Sequence, residues 1–433
     1  MTASEAKREG WSVGLMLASA LAARHDPAVR IRNVDLLAVL IALLLPWSTS
    51  GVAIASVLWL IALLWTIDLR AFGQLLKRPI CWLPIALFGL AAVGTLWSDA
   101  PWGTRIYALN PTAKLLALPL LLYHFERSSR GMWVFIAFLI SCALLMVVSW
   151  IVMFEPDLAL KTSNDGVSRG IFVKNYIDQS QEFALCAVAL VYPVVMFLRA
   201  KRIWPALLLA AIGISFLVNM AFVIVSRTAL VTIPLMAAVL GLLHLRLRTN
   251  LMVLATAIFV AAAAWAVSPQ LETTLKRFSI EYQEYQKAGR ATSIGERLEY
   301  WKYALRFFAD APLAGHGTGS VQGLFQEAAS GPEWIAGARV VPNPHNQTLN
   351  VAVQWGVIGV IILYAMWLSH LLLFRGEGFV AWIGLLVVVQ NVLSSLFNSH
   401  LFDFHEGWIY VLGVGVAGGM VLGARPQARP PDP

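Results

Sequence analysis

Residues 131–154 read GMWVFIAFLISCALLMVVSWIVMF, a run of 24 residues without a charged side chain. As an α-helix this run would rise about 36 Å at 1.5 Å per residue. The hydrocarbon core of a bilayer is about 30 Å thick, so one such helix can cross it. Arg127 and Arg130 stand directly before the run, as is usual for the cytoplasmic end of a membrane-spanning helix.

The whole chain has the composition of a membrane protein. Of its 433 residues, 59% are hydrophobic and only 13% are charged, and the mean hydropathy is +0.71. Too little polar surface would remain to cover a water-soluble globule, so we predict an all-α polytopic membrane protein. About twelve transmembrane helices are expected, at 33–48, 51–67, 79–97, 108–125, 131–154, 180–200, 203–219, 221–243, 249–267, 346–374, 379–396 and 405–423.

Basic residues predict the orientation of these helices. Lys and Arg fall on alternate connections, which indicates that both termini are cytoplasmic. The net charge of +8 is then explained by topology and needs no nucleic-acid partner. The N-terminal stretch WSVGLMLASALAA after Lys7 and Arg8 resembles a signal peptide, but Arg24 follows it closely, which favours an uncut interfacial helix.

The predicted topology divides the chain into five parts. They are a cytoplasmic segment 1–32, transmembrane helices one to nine at 33–267, an exported loop domain at 268–345, helices ten to twelve at 346–423, and a disordered cytoplasmic tail at 424–433.

The three cysteines lie in apolar runs, where a thiol behaves as a small hydrophobic group.

The exported segment 268–345 looks folded rather than extended. The stretch SIGERLEYWKYALRFFADAPLAG sets Ile294, Leu298, Trp301, Leu305 and Phe308 at helical spacing on one face. Ser293 is expected to cap this helix, with Glu296 completing a capping box. We therefore predict a mainly helical domain lying against the membrane.

Two arginines on the exported side are candidates for binding an anion. Arg227 lies in the eighth predicted span, where a guanidinium is costly unless it faces a cavity, an anion or a carboxylate in a structural ion pair. Arg297 flanks the apolar face of the 293–310 helix, where an ordinary solvated arginine is the simpler interpretation. The residues alone leave both alternatives open.

The stretch NPHNQTLN at 343–350 places a histidine among amides directly before the tenth predicted span. Pro344 restricts the backbone, which fixes the position of His345. Histidine titrates near neutral pH, and Asn343, Asn346 and Gln347 could orient it or contact a substrate. A general base and a structural capping histidine are both consistent with this pattern.

Further positive groups and one glycine turn could contact an anionic headgroup. The turn AGHGTGS at 314–320 could offer the backbone N–H of Gly317, although any tight turn has this spacing. No carboxylate pair or His/Cys pattern for a metal is present in the exported segments, so we expect neither a metal nor a cofactor. The basic candidates for substrate binding are Arg105, Lys114, Arg169 and Lys174, each of which could equally be an ordinary solvated loop charge.

Three motifs together resemble the superfamily of O-antigen ligases and polymerases. They are SRTAL at 226–230, GERLEYWKYALRFFADAPLAGHGTGS at 295–320 and NPHNQTLNVAVQWGVIGVIILY at 343–364. The resemblance implies that Arg227, Arg297 and His345 are the catalytic residues. It also implies a bacterial inner-membrane enzyme with its site facing the periplasm.

For this superfamily the implied reaction is the transfer of a preassembled glycan from undecaprenyl diphosphate. A ligase, which we favour, transfers it to a sugar hydroxyl of the lipid A core, with inversion and without a metal. The alternatives within the superfamily are an O-antigen polymerase and a protein O-oligosaccharyltransferase. The alternative from another class is a transporter of a lipid-linked anion, whose usual paired repeats we do not find in the sequence.

Overall fold

The computed structural model describes residues 26–160, 170–173, 175–223, 227–244, 251, 255, 262, 266–332, 334–335 and 337–424. Within these ranges every regular element is helical, as the sequence predicts. In the first part of the chain the α-helices are α1 (Pro27–Leu44), α2 (Thr49–Leu64), α3 (Leu69–Leu76), α4 (Pro79–Gly94), α5 (Trp102–Tyr107), α6 (Asn110–Ala113), α7 (Ala117–Phe125) and α8 (Gly131–Phe154).

The second part of the chain continues the bundle and contains the loop domain. Its helices are α9 (Tyr176–Ala189), α10 (Val191–Arg199), α11 (Ile203–Phe222), α12 (Arg227–His244), α13 (Pro269–Ala288), α14 (Ser293–Asp310), α15 (Val321–Ala329), α16 (Gln347–Leu373), α17 (Phe379–Ser394) and α18 (Phe404–Ala424). The predicted segment 268–345 thus contains three helices, α13 to α15.

Six helical segments of the described chain are long and apolar enough to cross a membrane, or seven if the bent pair α2 and α3, at 118° to each other, is one span. This confirms a polytopic α-helical membrane protein but not the predicted count of twelve. Helices α4 and α17 are apolar but shorter, and most of the predicted span 249–267 lies outside the described residues. The six segments are Trp102–Phe125, Gly131–Phe154, Tyr176–Arg199, Ile203–Phe222, Gln347–Leu373 and Phe404–Ala424.

Helix α18 lies at the centre of the bundle. Its glycines allow close packing against α7, because a Cβ added at Gly415 would stand 2.5 Å from Leu121 Cβ and one at Gly419 2.7 Å from Phe125. Small residues serve this purpose in membrane helices, where lipid provides no hydrophobic force between them. Larger side chains at these two positions would therefore separate the helices.

One end of the bundle is held together by a buried carboxylate. Asp35 in α1 accepts hydrogen bonds from Ser128 Oγ at 2.7 Å and from Arg130 Nη1 at 3.3 Å. Its Oδ1 also lies 2.7 Å from Nε2 of His124, at the end of α7. A buried carboxylate is stable only with such partners, so this cluster fastens α1 to the connection between α7 and α8.

Helix α16 is broken at Gly356, whose φ of 60° and ψ of −156° are not helical. The break frees backbone N–H groups, and Val357 N donates instead to Pro312 O at 2.8 Å. A Cβ at Gly356 would stand 2.3 Å from Leu313 O, so only glycine fits there. The break therefore lets the segment that follows α14 pack into the bundle close to the start of α16.

The loop domain is built on aromatic packing along a face of α14 that differs from the predicted apolar stripe. Its buried face includes Tyr300 and Tyr303, which pack with Phe325 of α15, whereas Leu305 of the predicted face is 55% exposed. The cap is also one residue earlier than predicted, because Thr292 Oγ1 accepts from Gly295 N at 3.1 Å.

Candidate functional site

His345 lies between the loop domain and the membrane helices, immediately before α16. Its φ is 54°, an unusual value for a residue other than glycine. Its backbone N–H donates to Asn343 Oδ1 at 2.9 Å, and Asn346 caps α16 by accepting from Leu349 N at 3.1 Å. The NPHN stretch thus fixes the histidine backbone on both sides.

The imidazole of His345 is held by a residue that the sequence did not suggest. Its Nδ1 lies 2.9 Å from Oδ1 of Asn398, in the connection between α17 and α18. Asn398 Nδ2 in turn donates to Asp403 Oδ2 at 2.7 Å. These three residues form a linear relay, which we call the His–Asn–Asp relay.

The surrounding hydrogen bonds determine which way the Asn398 amide points. Its Nδ2 faces the carboxylate of Asp403, which leaves Oδ1 toward His345. Independently, Asn343 uses its Oδ1 to accept from His345 N and Ser399 Oγ, so its Nδ2 faces the same Asn398 oxygen at 3.5 Å. Because Asn398 Oδ1 can only accept, His345 Nδ1 must carry the proton, and Nε2 keeps its lone pair.

The environment of His345 favours the neutral imidazole. Burial lowers its pKa below the ordinary value, and the nearby charges of Arg297 and Arg339 lower it further. The hydrogen bond to Asn398 and the charge of Glu296 act in the opposite direction but are outweighed. At neutral pH the ring is therefore uncharged, and Nε2 can accept a proton.

The charge of Arg297 lowers the pKa of His345. Arg297 is half-buried in the first turns of α14. Tyr300, one turn later, stacks obliquely on the imidazole with 5.9 Å between the ring centroids. Helix α14 thus brings a guanidinium and an aromatic wall to the histidine.

Arg227 begins α12, at the same end of the bundle as His345. The sequence predicted a position one or two turns inside a span that starts at 221, but α11 extends to Phe222 and α12 begins at Arg227 itself. The end of α11, six residues before Arg227, is joined to the start of the loop domain, because Ser268 Oγ donates to Ala221 O at 2.6 Å. The side chain of Arg227 lies outside what the structure describes.

Two predicted substrate-binding amides have other partners. Asn346 Nδ2 donates to Leu396 O at 3.1 Å, and Gln347 Oε1 accepts from Leu401 N at 3.1 Å. Both side chains hold the 395–403 connection against the start of α16. Together with Asn343, they position the His–Asn–Asp relay.

The prediction that Gly317 offers its N–H to an anion is wrong. That N–H donates to Gln354 O at 2.8 Å, and the neighbouring Thr318 N donates to Gly94 O at 3.0 Å. A Cβ at Gly317 would stand 2.6 Å from Ser98 Cα. The glycine turn is therefore a packing device between α4 and the break in α16.

Two predicted basic contacts hold loops in place. Arg105 donates to Thr95 O at 2.9 Å and also to Ala100 O, which closes the connection between α4 and α5. Lys114 was expected in an exported loop but lies within the helical segment Trp102–Phe125, where its Nζ donates to Phe402 O at 3.1 Å and to Asp403 O. The predicted residues Arg169 and Lys174 lie outside the described residues.

Burial and the charge of Lys114 shift the pKa of the Asp403 carboxyl in opposite directions. Burial is the larger effect and raises the pKa of the Asp403 carboxyl to about 7, while the charge of Lys114 and the hydrogen bond from Asn398 lower it in part. His400 is buried 4.0 Å from Asp403 Oδ2, and burial lowers its pKa to about 4. His400 is therefore a neutral neighbour of the relay near pH 7.

His316 and His405 have structural partners. His316 Nε2 lies 2.7 Å from Phe307 O, which ties the glycine turn to α14. His405 Nδ1 lies 2.8 Å from Asp178 Oδ2, which ties α18 to α9. Neither contact leads to His345.

Part of the chain is similar to a known protein family. A search of curated proteins gave no match. Residues 212–364 match the model described as O-antigen ligase, and this range includes Arg227, Arg297 and His345. The match ends before Asn398 and Asp403, which only the structure connects to the histidine. Residues 212–364 are therefore similar to the O-antigen ligase family, in agreement with the sequence resemblance.

Proposed function

We propose that the protein is an O-antigen ligase of the bacterial inner membrane, with both termini in the cytoplasm and its site facing the periplasm. It transfers a preassembled glycan from undecaprenyl diphosphate to a sugar hydroxyl of the lipid A core. The observation that carries this proposal is His345, whose Nδ1 is bonded to Asn398 and whose Nε2 remains available, within the residues that match the O-antigen ligase family.

In the proposed reaction His345 is the general base. Nε2 removes the proton of the acceptor hydroxyl as its oxygen forms a bond to the anomeric carbon of the glycan. The bond between that carbon and the diphosphate oxygen breaks, and the diphosphate leaves with the electron pair. A single displacement inverts the anomeric configuration.

The leaving diphosphate needs positive charge, which Arg297 and Arg227 are proposed to supply. A guanidinium binds phosphate oxygens through paired N–H donors and stabilises charge that develops in the transition state. Arg297 is supported by its electrostatic effect on His345. Arg227 is supported by its place at the same end of the bundle and within the matched residues 212–364. Since arginines perform this role, the reaction is proposed to need no metal or cofactor.

Reconstitution tests the proposal. Purified protein in liposomes receives a lipid-diphosphate glycan and lipid A core with a chelator present, and transfer is followed by gel shift. We expect transfer by the parent protein and by His316→Gln, because the imidazole of His316 lies 2.7 Å from Phe307 O in the loop domain and does not contact His345. His345→Ala is expected to lose transfer while it remains folded, as a cooperative thermal unfolding transition would show.

Other outcomes would redirect or overturn the proposal. Elongation of the lipid-linked glycan without transfer to the core would identify a polymerase, and labelling of an exported protein would identify a protein O-oligosaccharyltransferase. Movement of the glycan lipid across the vesicle without any transfer would indicate a transporter. A folded His345→Ala variant that transfers at the parental rate would exclude the histidine as the base.

A further inference from the structure

A large apolar cavity lies within the membrane-spanning helices, separate from the His345 site. Its volume is about 260 Å³, and carbon atoms form nearly all of its wall. An apolar cavity of about 150 Å³ remains dry and binds benzene, so this cavity has room for about ten carbon atoms of a hydrocarbon chain. Its wall includes Leu139 of α8, Ala189 of α9, Pro193 of α10, Leu209 of α11 and Ile383 of α17.

The helices that line the cavity share one feature at their ends away from His345: each is preceded or followed by basic residues. Arg130 precedes α8, Arg199 ends α10, Arg202 precedes α11, and Arg375 lies before α17. These ends are opposite to the catalytic site, because α16 begins beside His345 and ends two residues before Arg375.

The cavity wall itself includes residues near two of these basic positions: Met132 lies two residues after Arg130, and Phe379 lies four residues after Arg375. Tyr192, at the start of α10 and seven residues before Arg199, stacks on Phe379 at the start of α17, with 5.6 Å between the ring centroids. A Cβ at Gly131, the first residue of α8, would stand 2.4 Å from Met420 Sδ near the end of α18. The cavity and the basic connections are therefore parts of one region of the bundle.

The charge of this region is positive and accessible to solvent or headgroups. The connections 126–130, 199–202 and 374–378 contain six Lys or Arg residues and two Glu residues. Arg199, Lys201 and Arg375 are exposed, whereas Arg130 is engaged by Asp35. An apolar cavity beside exposed cations suits a lipid that has a negatively charged headgroup.

We propose that this region binds an anionic phospholipid, with one acyl chain in the cavity and the phosphate among Arg199, Lys201 and Arg375. The membrane surrounds the bundle with hydrocarbon, so a chain can enter without crossing water. The phosphate of an anionic lipid can form charge-assisted contacts with these three side chains. In a zwitterionic lipid the ammonium group of the same headgroup partly neutralises the phosphate, so these contacts are weaker. This site does not depend on the proposed glycan transfer.

Native mass spectrometry of the purified protein with equal amounts of phosphatidylglycerol and phosphatidylcholine tests the proposal. We expect the parent to retain phosphatidylglycerol preferentially. The triple variant R199Q/K201Q/R375Q should lose this preference, by about fivefold for each charge removed. The matched control R70Q/K77Q/R78Q removes three exposed charges near α3, which does not line the cavity, and should behave as the parent.

The proposed binding site for the acyl chain is tested by filling the cavity with a larger side chain. Ala189→Phe places a ring in the cavity and should lower retention of both lipids, whereas the control Val191→Phe, at a residue 49% exposed outside the cavity wall, should not. If Ala189→Phe does not fold, Leu209→Trp offers the same test from α11.

Four results would overturn the proposal: equal retention of the two lipids by the parent, the same loss in both triple variants, parental retention by a folded filled variant, or displacement of phosphatidylglycerol by a polyprenyl phosphate. The last result would assign the cavity to the lipid-linked donor. None of these readings uses glycan transfer, so they are independent of the proposed reaction.

Discussion

Asn398→Ala is the substitution that examines the relay most directly. It removes the acceptor of His345 Nδ1–H and the donor to Asp403 Oδ2 while it leaves the imidazole in place. A buried group without its hydrogen-bond partner costs about 1–3 kcal/mol. If that energy is lost in the transition state, the rate falls about 5-fold to 160-fold, because 1.36 kcal/mol corresponds to a factor of ten.

The assay is the initial rate of glycan transfer over a series of pH values. The bond to Asn398 raises the pKa of His345, so its loss should move the acid limb of the profile to lower pH even as the rate at neutral pH falls. Asn391→Ala is the control, because it removes the acceptor of a buried bond from Trp367 Nε1 at 3.2 Å without touching His345. An Asn398→Ala rate equal to the parental rate at every pH, or an equal loss in Asn391→Ala, would refute the relay.

Three further substitutions test the site and its support. Arg297→Gln removes a charge that lowers the pKa of His345, so the acid limb of the residual transfer rate should move to higher pH; an unchanged limb would contradict the proximity of the two groups. Gly317→Ala, at φ 86°, should lower the free energy of unfolding by at least about 1 kcal/mol. The control Gly323→Ala, at a position in α15 with open space around it, should raise the free energy of unfolding by about 0.5–1 kcal/mol. Denaturation curves that show no difference between the two variants would contradict the packing role of the turn. His345→Gly should be more stable than His345→Ala by about 1–2 kcal/mol in the free energy of unfolding, because the φ of 54° at this position suits glycine. Neither variant should transfer glycan.

The sequence predicts single membrane helices well where apolar runs are long and bounded by charges. The run 131–154 is helix α8 to the residue, and the predicted span 346–374 differs from α16 by one residue at each end. The predicted apolar stripe of α14 is not the face that packs inside the loop domain, for a physical reason. In a membrane protein an apolar side chain such as Leu305 can face lipid, so helical periodicity identifies an apolar face but not its partner.

The sequence around His345 suggested a candidate base, but it could not suggest that Asn398 and Asp403 are its hydrogen-bond partners in the His–Asn–Asp relay. Asn398 lies 53 residues away, in a connection that joins two apolar helices, and only the packing of α16 against α17 brings the two side chains together. A signal was present: FNSHLFDFHEG at 397–407 places Asn, Asp, two His and Glu between two apolar runs. Lys114 was misplaced for the same reason, since its partners Phe402 and Asp403 belong to that connection.

The backbone of His345 connects the chemistry to the fold. A left-handed conformation costs a residue with a side chain about 1–2 kcal/mol, and among the described non-glycine residues only Lys201, in an exposed turn, shares it. Asn346 already caps α16, so the helix itself does not require this conformation. Asn343 holds the backbone N–H and Asn398 holds the ring, and Ser399 Oγ donates to the same Asn343 oxygen. Strain of this kind persists where surrounding contacts outweigh it, and it is concentrated at functional sites. The 395–403 connection therefore sets the position and the tautomer of the base together, and a movement of that connection would change both.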